Sequence, residues 1–160
     1  MPIESSVPIR RLPEERFKEI AYHVTGEAFR LHNQYGQFFS EKVFKYELAA
    51  ACHRSGYSSV EVESPVRVTF GTFCKTYYID LLIDPGALFE LKTEQSLHPA
   101  HEAQTLNYLF LLDLDRAKLF NFGAASLEHQ FVSTQLSTAR RRQVAIDRTR
   151  WIASDEASQR

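Results

Sequence analysis

The stretch YYIDLLIDPGALFELK, residues 77–92, decides how the rest of the chain is read. Two apolar runs rich in Ile, Leu and aromatics flank Asp84-Pro85-Gly86, the punctuation of a β-hairpin. Each run carries charge where a buried strand should carry none. Asp80 lies in the first, Glu90 and Lys92 in the second. A buried charge costs free energy unless it is paired or bound to a metal, so three on one hairpin require a cause. Side chains alternate along a strand, so Glu90 and Lys92 share a face. A two-residue loop, Pro85-Gly86, would turn Asp80 away from them. A three-residue loop, Asp84 to Gly86, sets Asp80 opposite Glu90. Such loops end in a left-handed residue, commonly Gly. Gly86 stands there, so the longer loop is expected.

Two carboxylates facing each other across a strand pair repel. A divalent metal between them would convert that repulsion into attraction. Lys92, next along the same face, is then placed to orient or deprotonate a metal-bound water. The plainer account is an ion pair, with Lys92 neutralising Glu90 and Asp80 facing solvent at a sheet edge. The hairpin alone leaves both accounts open.

The chain has 160 residues, 44% hydrophobic and 24% charged. That is one domain's length and a globular balance, not a disordered one. No apolar run reaches membrane-spanning length, and the N-terminus lacks a segment of signal-peptide type. No membrane partner is expected. Cys52 and Cys74 have no metal-ligand spacing and read as reduced thiols of a cytoplasmic protein. The net charge is −1, which does not advertise nucleic-acid binding. The distribution is uneven, however. Within 139–150, five arginines against one aspartate leave +4, and −5 for the remainder. The basic run suits phosphates or a solvated helix face.

Residues 1–12 read as a loose leader. Pro13 with Glu14 and Glu15 starts a helix. Phe17, Ile20, Val24, Ala28 and Leu31 carry it to about Gln34, and Gly36 breaks it. Ser40 fits an N-cap for a second helix, Glu41 to about Arg54, closed by Gly56. Phe44, Leu48 and Cys52 form its apolar stripe, and Glu41 lies on that stripe. An acid there complements the helix dipole, and it is also where a third carboxylate could lean into a site.

Residues 58–70 alternate as a strand interrupted near Ser64-Pro65, with a turn over 71–75. Pro99 opens a third helix reaching about Leu112, with His101, Gln104 and Tyr108 along one face. Residues 116–122 and 127–133 read as strands, and a basic helix covers about 138–152. The domain thus spans 13–137, followed by a basic C-terminal helix and tail over 138–160. The order predicts a mixed α/β fold, a central sheet flanked by helices.

The ordered set Glu41, Asp80, Glu90-x-Lys92, Gln104-x-x-x-Tyr108 resembles the PD-(D/E)XK nuclease superfamily. More narrowly it resembles the bacterial GxxExxY proteins. The segments Asp80-Leu81-Leu82, Glu90-Leu91-Lys92, HEAQTLNYL from His101, Asn121-Phe122-Gly123 and Leu127-Glu128 carry that likeness over about residues 18–133. The chain departs from the group at Phe38 for Gly, Phe44 for Tyr, and Gln130 for a basic residue. A bulkier turn that shifts Glu41 and a lost hydroxyl near the site are the expected consequences.

The resemblance implies a restriction-endonuclease-like core and hydrolysis of nucleic-acid phosphodiesters, DNA foremost, with Mg²⁺ or Mn²⁺ held by acidic oxygens. It implies Asp80, Glu90 and the Leu91 carbonyl as ligands, and Glu41 as a ligand directly or through water. Lys92 would position the attacking hydroxide and offset charge on phosphorus. Gln104 and Tyr108, with His101 on the same face, would steady the substrate strand. A second subunit is the candidate partner for holding duplex. A nuclease fold that binds nucleic acid or a protein without turnover is the alternative.

Overall fold

The helices begin and end where local chemistry places their caps. The computed structural model describes residues 2–134 and 147–150. Helix α1 (Glu14–Tyr35) starts after Pro13 with two acids in its first turn and stops at Gly36, whose φ is 76°. Helix α2 (Glu41–Arg54) is capped by Ser40, whose side chain accepts from the Val43 amide. Helix α3 (Pro99–Leu112) starts at Pro99 behind a capping box of His98 and His101.

Seven strands make one sheet among the described residues: β1 (Pro2–Ser5), β2 (Val60–Phe70), β3 (Phe73–Ile83), β4 (Ala87–Lys92), β5 (Arg116–Asn121), β6 (Glu128–Ser133) and β7 (Asp147–Arg150). Their order is β6-β5-β4-β3-β2-β1-β7. The β4–β5 and β1–β7 pairs are parallel and the rest antiparallel. The α3 crossover joins the parallel pair β4 and β5, as such a pair requires.

Four expectations are corrected. Residues 2–5 are no loose leader, because Ile3 is buried and β1 pairs with β2. Residues 147–150 are strand rather than helix, paired beside β1; the rest of the expected basic helix and tail lies outside the described residues. The turn expected over 71–75 is confined to Gly71-Thr72, because Phe73, Cys74 and Lys75 pair with β2. The interruption expected near Ser64-Pro65 falls one residue earlier, at Glu63, because Ser64 and Pro65 themselves pair with Ile79 and Tyr78.

The irregular residue in β2 is Glu63, with φ of 50°. Val60 and Val62 pack with the core under α1 and α2, whereas Val66 and Val68 pack with the core under α3. In β3, Leu81 and Ile83 belong to the first core and Ile79 to the second. Residues two apart in a regular strand share a face. Both strands therefore change sides where Glu63 faces Asp80.

The hairpin loop has the expected three residues, since Ile83 pairs with Ala87 and Leu81 with Phe89. The reason differs from the one expected. The left-handed residue is Asp84, φ 48°, not Gly86. Gly86 is required by space, because a Cβ there would lie 2.2 Å from the Arg10 carbonyl oxygen. No helix among the described residues is long and apolar enough to cross a membrane.

Candidate active site

The β3–β4 ladder stops at Leu81 and Phe89. Continued by one step, its register sets Asp80 opposite Glu90, but there the carboxyl groups replace main-chain pairing. The Asp80 amide donates to Glu90 Oε1 at 3.2 Å, and the Leu91 amide donates to Asp80 Oδ2 at 2.9 Å. Both acids are buried, at 8% and 2% exposure. Burial first, then the charge of Asp80 and a hydrogen bond to its side chain, hold the Glu90 carboxyl well above the ordinary range. The two acids thus meet in the opening between diverging strands.

Glu41, in the first turn of α2, stands half-buried within electrostatic reach. Burial and then Asp80 raise its pKa, while Lys92 and Lys45 oppose the shift. Lys92 donates to Gln104 Oε1 at 2.8 Å, and Gln104 Nε2 donates to the Tyr108 hydroxyl at 3.3 Å. Tyr108 is buried, its ring edge-on to Tyr77, and burial pushes its phenol up to about 12. It is therefore a neutral anchor, and Gln104 is the link that holds Lys92. His101 is set apart from that chain. Its Nδ1 accepts the His98 amide in the α3 capping box. Burial, then His98 and Lys92, keep its imidazole below the ordinary value.

Sequence reasoning missed Lys45. Its Nζ lies 2.8 Å from Asp80 Oδ1 and 3.5 Å from Glu63 Oε1. Burial lowers its pKa, but the hydrogen bond and charge of Asp80, with Glu41 and Glu63 behind it, outweigh that and raise it. Lys45 follows Glu41 by four residues, one helical turn, and that spacing was the available signal. Removing one partner of a buried pair strands the other's charge. Lys45→Met is expected to cost about 3 kcal/mol of stability in metal-free buffer, read by urea denaturation, with part regained in Mg²⁺.

The segment after β4 is held by Asn121-Phe122-Gly123. Asn121 is fully buried. Its Oδ1 accepts from the Glu94 and Gly123 amides, and its Nδ2 donates to the Glu94 carbonyl and Glu128 Oε1. The Phe122 amide donates to the Lys92 carbonyl at 2.9 Å. A Cβ on Gly123 would lie 2.4 Å from the Glu94 carbonyl oxygen. Phe122 stacks on Phe44 with ring centres 4.4 Å apart. Position 44 is therefore a core contact between α2 and this segment. Phe38, at 91% exposure, points into solvent, and Gly36 makes the break at the end of α1, so a bulky residue at 38 does not crowd Glu41.

Among the described residues no three His, Cys, Asp or Glu side chains form a ready metal cage. Two buried carboxyls in contact, with a third acid nearby, nevertheless concentrate oxygen donors and negative charge. Hard divalent cations take such oxygens and keep several waters. The donor set fits a cation held by Asp80 and Glu90 and completed by water.

A solved structure described as "Crystal structure of SSO0001" is similar at 16% identity over 82% of each chain, with a TM-score of 0.41. No curated protein matches. The family described as the PD-(D/E)XK nuclease superfamily matches residues 18–134. That span contains α2, α3, most of α1, β2 to β6 and the acids and lysines of the site, on a mixed sheet flanked by helices. The chain belongs to the PD-(D/E)XK nuclease superfamily and has its restriction-endonuclease-like α/β fold.

Proposed function

We propose that this chain is a cytoplasmic, metal-dependent nuclease of the GxxExxY group that hydrolyses nucleic-acid phosphodiesters, DNA foremost. The observation that carries the reading is the contact between Asp80 and Glu90 where β3 and β4 part, with Lys92 two residues on. Asp80 and Glu90 would hold Mg²⁺ or Mn²⁺, with the Leu91 carbonyl as a third oxygen and Glu41 through water. When bound, the ion activates water and polarises a phosphoryl oxygen. Lys92 orients the attacking water and offsets charge growing on the phosphoryl oxygens. Gln104 holds Lys92 on that line, and Tyr108 holds Gln104. Lys45 neutralises Asp80 until a cation or a phosphate competes for one of them.

That Lys45–Asp80 pair favours a second reading, in which the fold binds nucleic acid without turnover. Calorimetric titration with Mg²⁺ or Mn²⁺ and nicking of supercoiled plasmid and single-stranded DNA separate the two. Cation binding and metal-dependent nicking are expected in the wild type, and both are expected to vanish in Asp80→Ala. Binding of cation and DNA with no cleavage would leave the second reading. No cation binding at all would remove the first.

A further inference from the structure

A cleft of about 680 Å³ lies between α1 and the β5–β6 edge of the sheet. It shares no lining residue with the Asp80–Glu90 site, so its chemistry is independent of the nuclease reading. Lys118, on β5, is 4% exposed. Its Nζ donates to Thr25 Oγ1 at 2.7 Å and lies 4.4 Å from the centre of the Phe131 ring and 5.7 Å from that of Phe120. Among the described residues no carboxylate pairs with it. A hydroxyl and ring faces offset only part of the cost of burying an ammonium. Burial lowers the pKa of Lys118, and an anion bound in the cleft would favour its charged form.

The walls agree with that charge. No acid lines the cleft. Its other cations, Lys18 and Arg30, are already paired with Glu14 and Glu27. Tyr22 and Phe131 line the cleft and are 78% and 57% exposed. Gly26 sits in the middle of α1, where glycine weakens a helix. A Cβ on it would meet nothing within 4 Å, so packing does not demand it. Its absent side chain leaves the cleft open. A smaller hollow of about 240 Å³ continues past Lys18 and Phe131 toward Arg116.

We propose that this cleft is a second, nucleotide-binding site, with the phosphate drawn to Lys118 and the base laid against Tyr22 and Phe131. Aromatic faces accept any base and a cation accepts its phosphate. The ligand is either a free nucleotide or the phosphorylated end of a strand running into the smaller hollow.

Calorimetry on the full chain in EDTA tests this. The probes are a nucleoside 5′-monophosphate, the matching nucleoside, inorganic phosphate and a short 5′-phosphorylated oligonucleotide. The monophosphate is expected to bind at least about tenfold more tightly than nucleoside or phosphate alone. Lys118→Met is expected to weaken it at least about tenfold. Gly26→Leu, which fills the cleft with a better helix former at an open position, is expected to do the same in a protein that still folds. Asp80→Ala is expected to bind like the wild type. An oligonucleotide that binds more tightly than the monophosphate identifies a strand end, and equal affinity identifies a free nucleotide. No monophosphate binding at millimolar concentration, or binding unchanged in both cleft variants, overturns the proposal.

Discussion

Lys92→Ala is expected to slow phosphodiester cleavage by about 10³-fold in Mg²⁺ while leaving cation affinity and melting temperature close to wild type. The magnitude is that of removing one preorganised group aimed at developing charge. The selectivity follows from the geometry. Lys92 donates to Gln104, not to Asp80 or Glu90, and it is only half-buried, so its loss strands no buried acid. Lys92→Arg is not expected to restore the rate, because a planar fork with its charge spread over three nitrogens does not place one compact charge at the same point. Gln104→Ala keeps the ammonium but frees it, and a loss of about tenfold is expected. Single-turnover nicking of supercoiled plasmid reads all three. A Lys92→Ala rate within tenfold of wild type would remove the lysine from the chemistry. If its melting temperature fell sharply instead, Lys92 would be a structural ion-pair member, the alternative that the hairpin sequence left open.

Much of this site was legible because its parts are local. Caps and breakers marked the helices: Pro13, Ser40 and Pro99 at their starts, Gly36 and Gly56 at their ends. Loop length on the central hairpin set the register that brings Asp80 to Glu90, although the strained residue proved to be Asp84. The parts that escaped reading are long-range. Strand β1 is four residues long, too short to show alternation, and it exists because β2 offers it an edge. The Lys45–Asp80 contact depends on both strands changing faces at Glu63. A residue at positive φ inside an alternating run leaves no periodic trace. Lys118 stands between Ala117 and Leu119 like any outward-facing strand lysine, and only α1 packed over that face makes it a buried charge.

Asn121→Ala is expected to lower stability by about 4 kcal/mol, the largest loss from any single substitution proposed for this fold. The amide makes four hydrogen bonds at zero exposure. Each contributes about 1 kcal/mol, and donors left unpaired cost at least as much. The damage should be directional. The Glu94 and Gly123 amides lose their acceptor, so hydrogen exchange should speed there first, while the Leu81–Ile83 ladder keeps its protection. Because the Phe122 amide also holds the Lys92 carbonyl, cleavage should fall under conditions where the variant is still fully folded. Asn121→Asp keeps the shape and the acceptors but sets a carboxylate against Glu128, its cross-strand neighbour. It should be no better than alanine, and Glu128→Gln in the same chain should recover part of the loss. Urea denaturation of the wild type, Asn121→Asp, Glu128→Gln and the double variant measures this cycle, with Asn121→Ala beside them. A loss below about 1 kcal/mol for Asn121→Ala would mean that the close fit of Gly123 against Glu94, rather than the amide, holds the end of β4 in place.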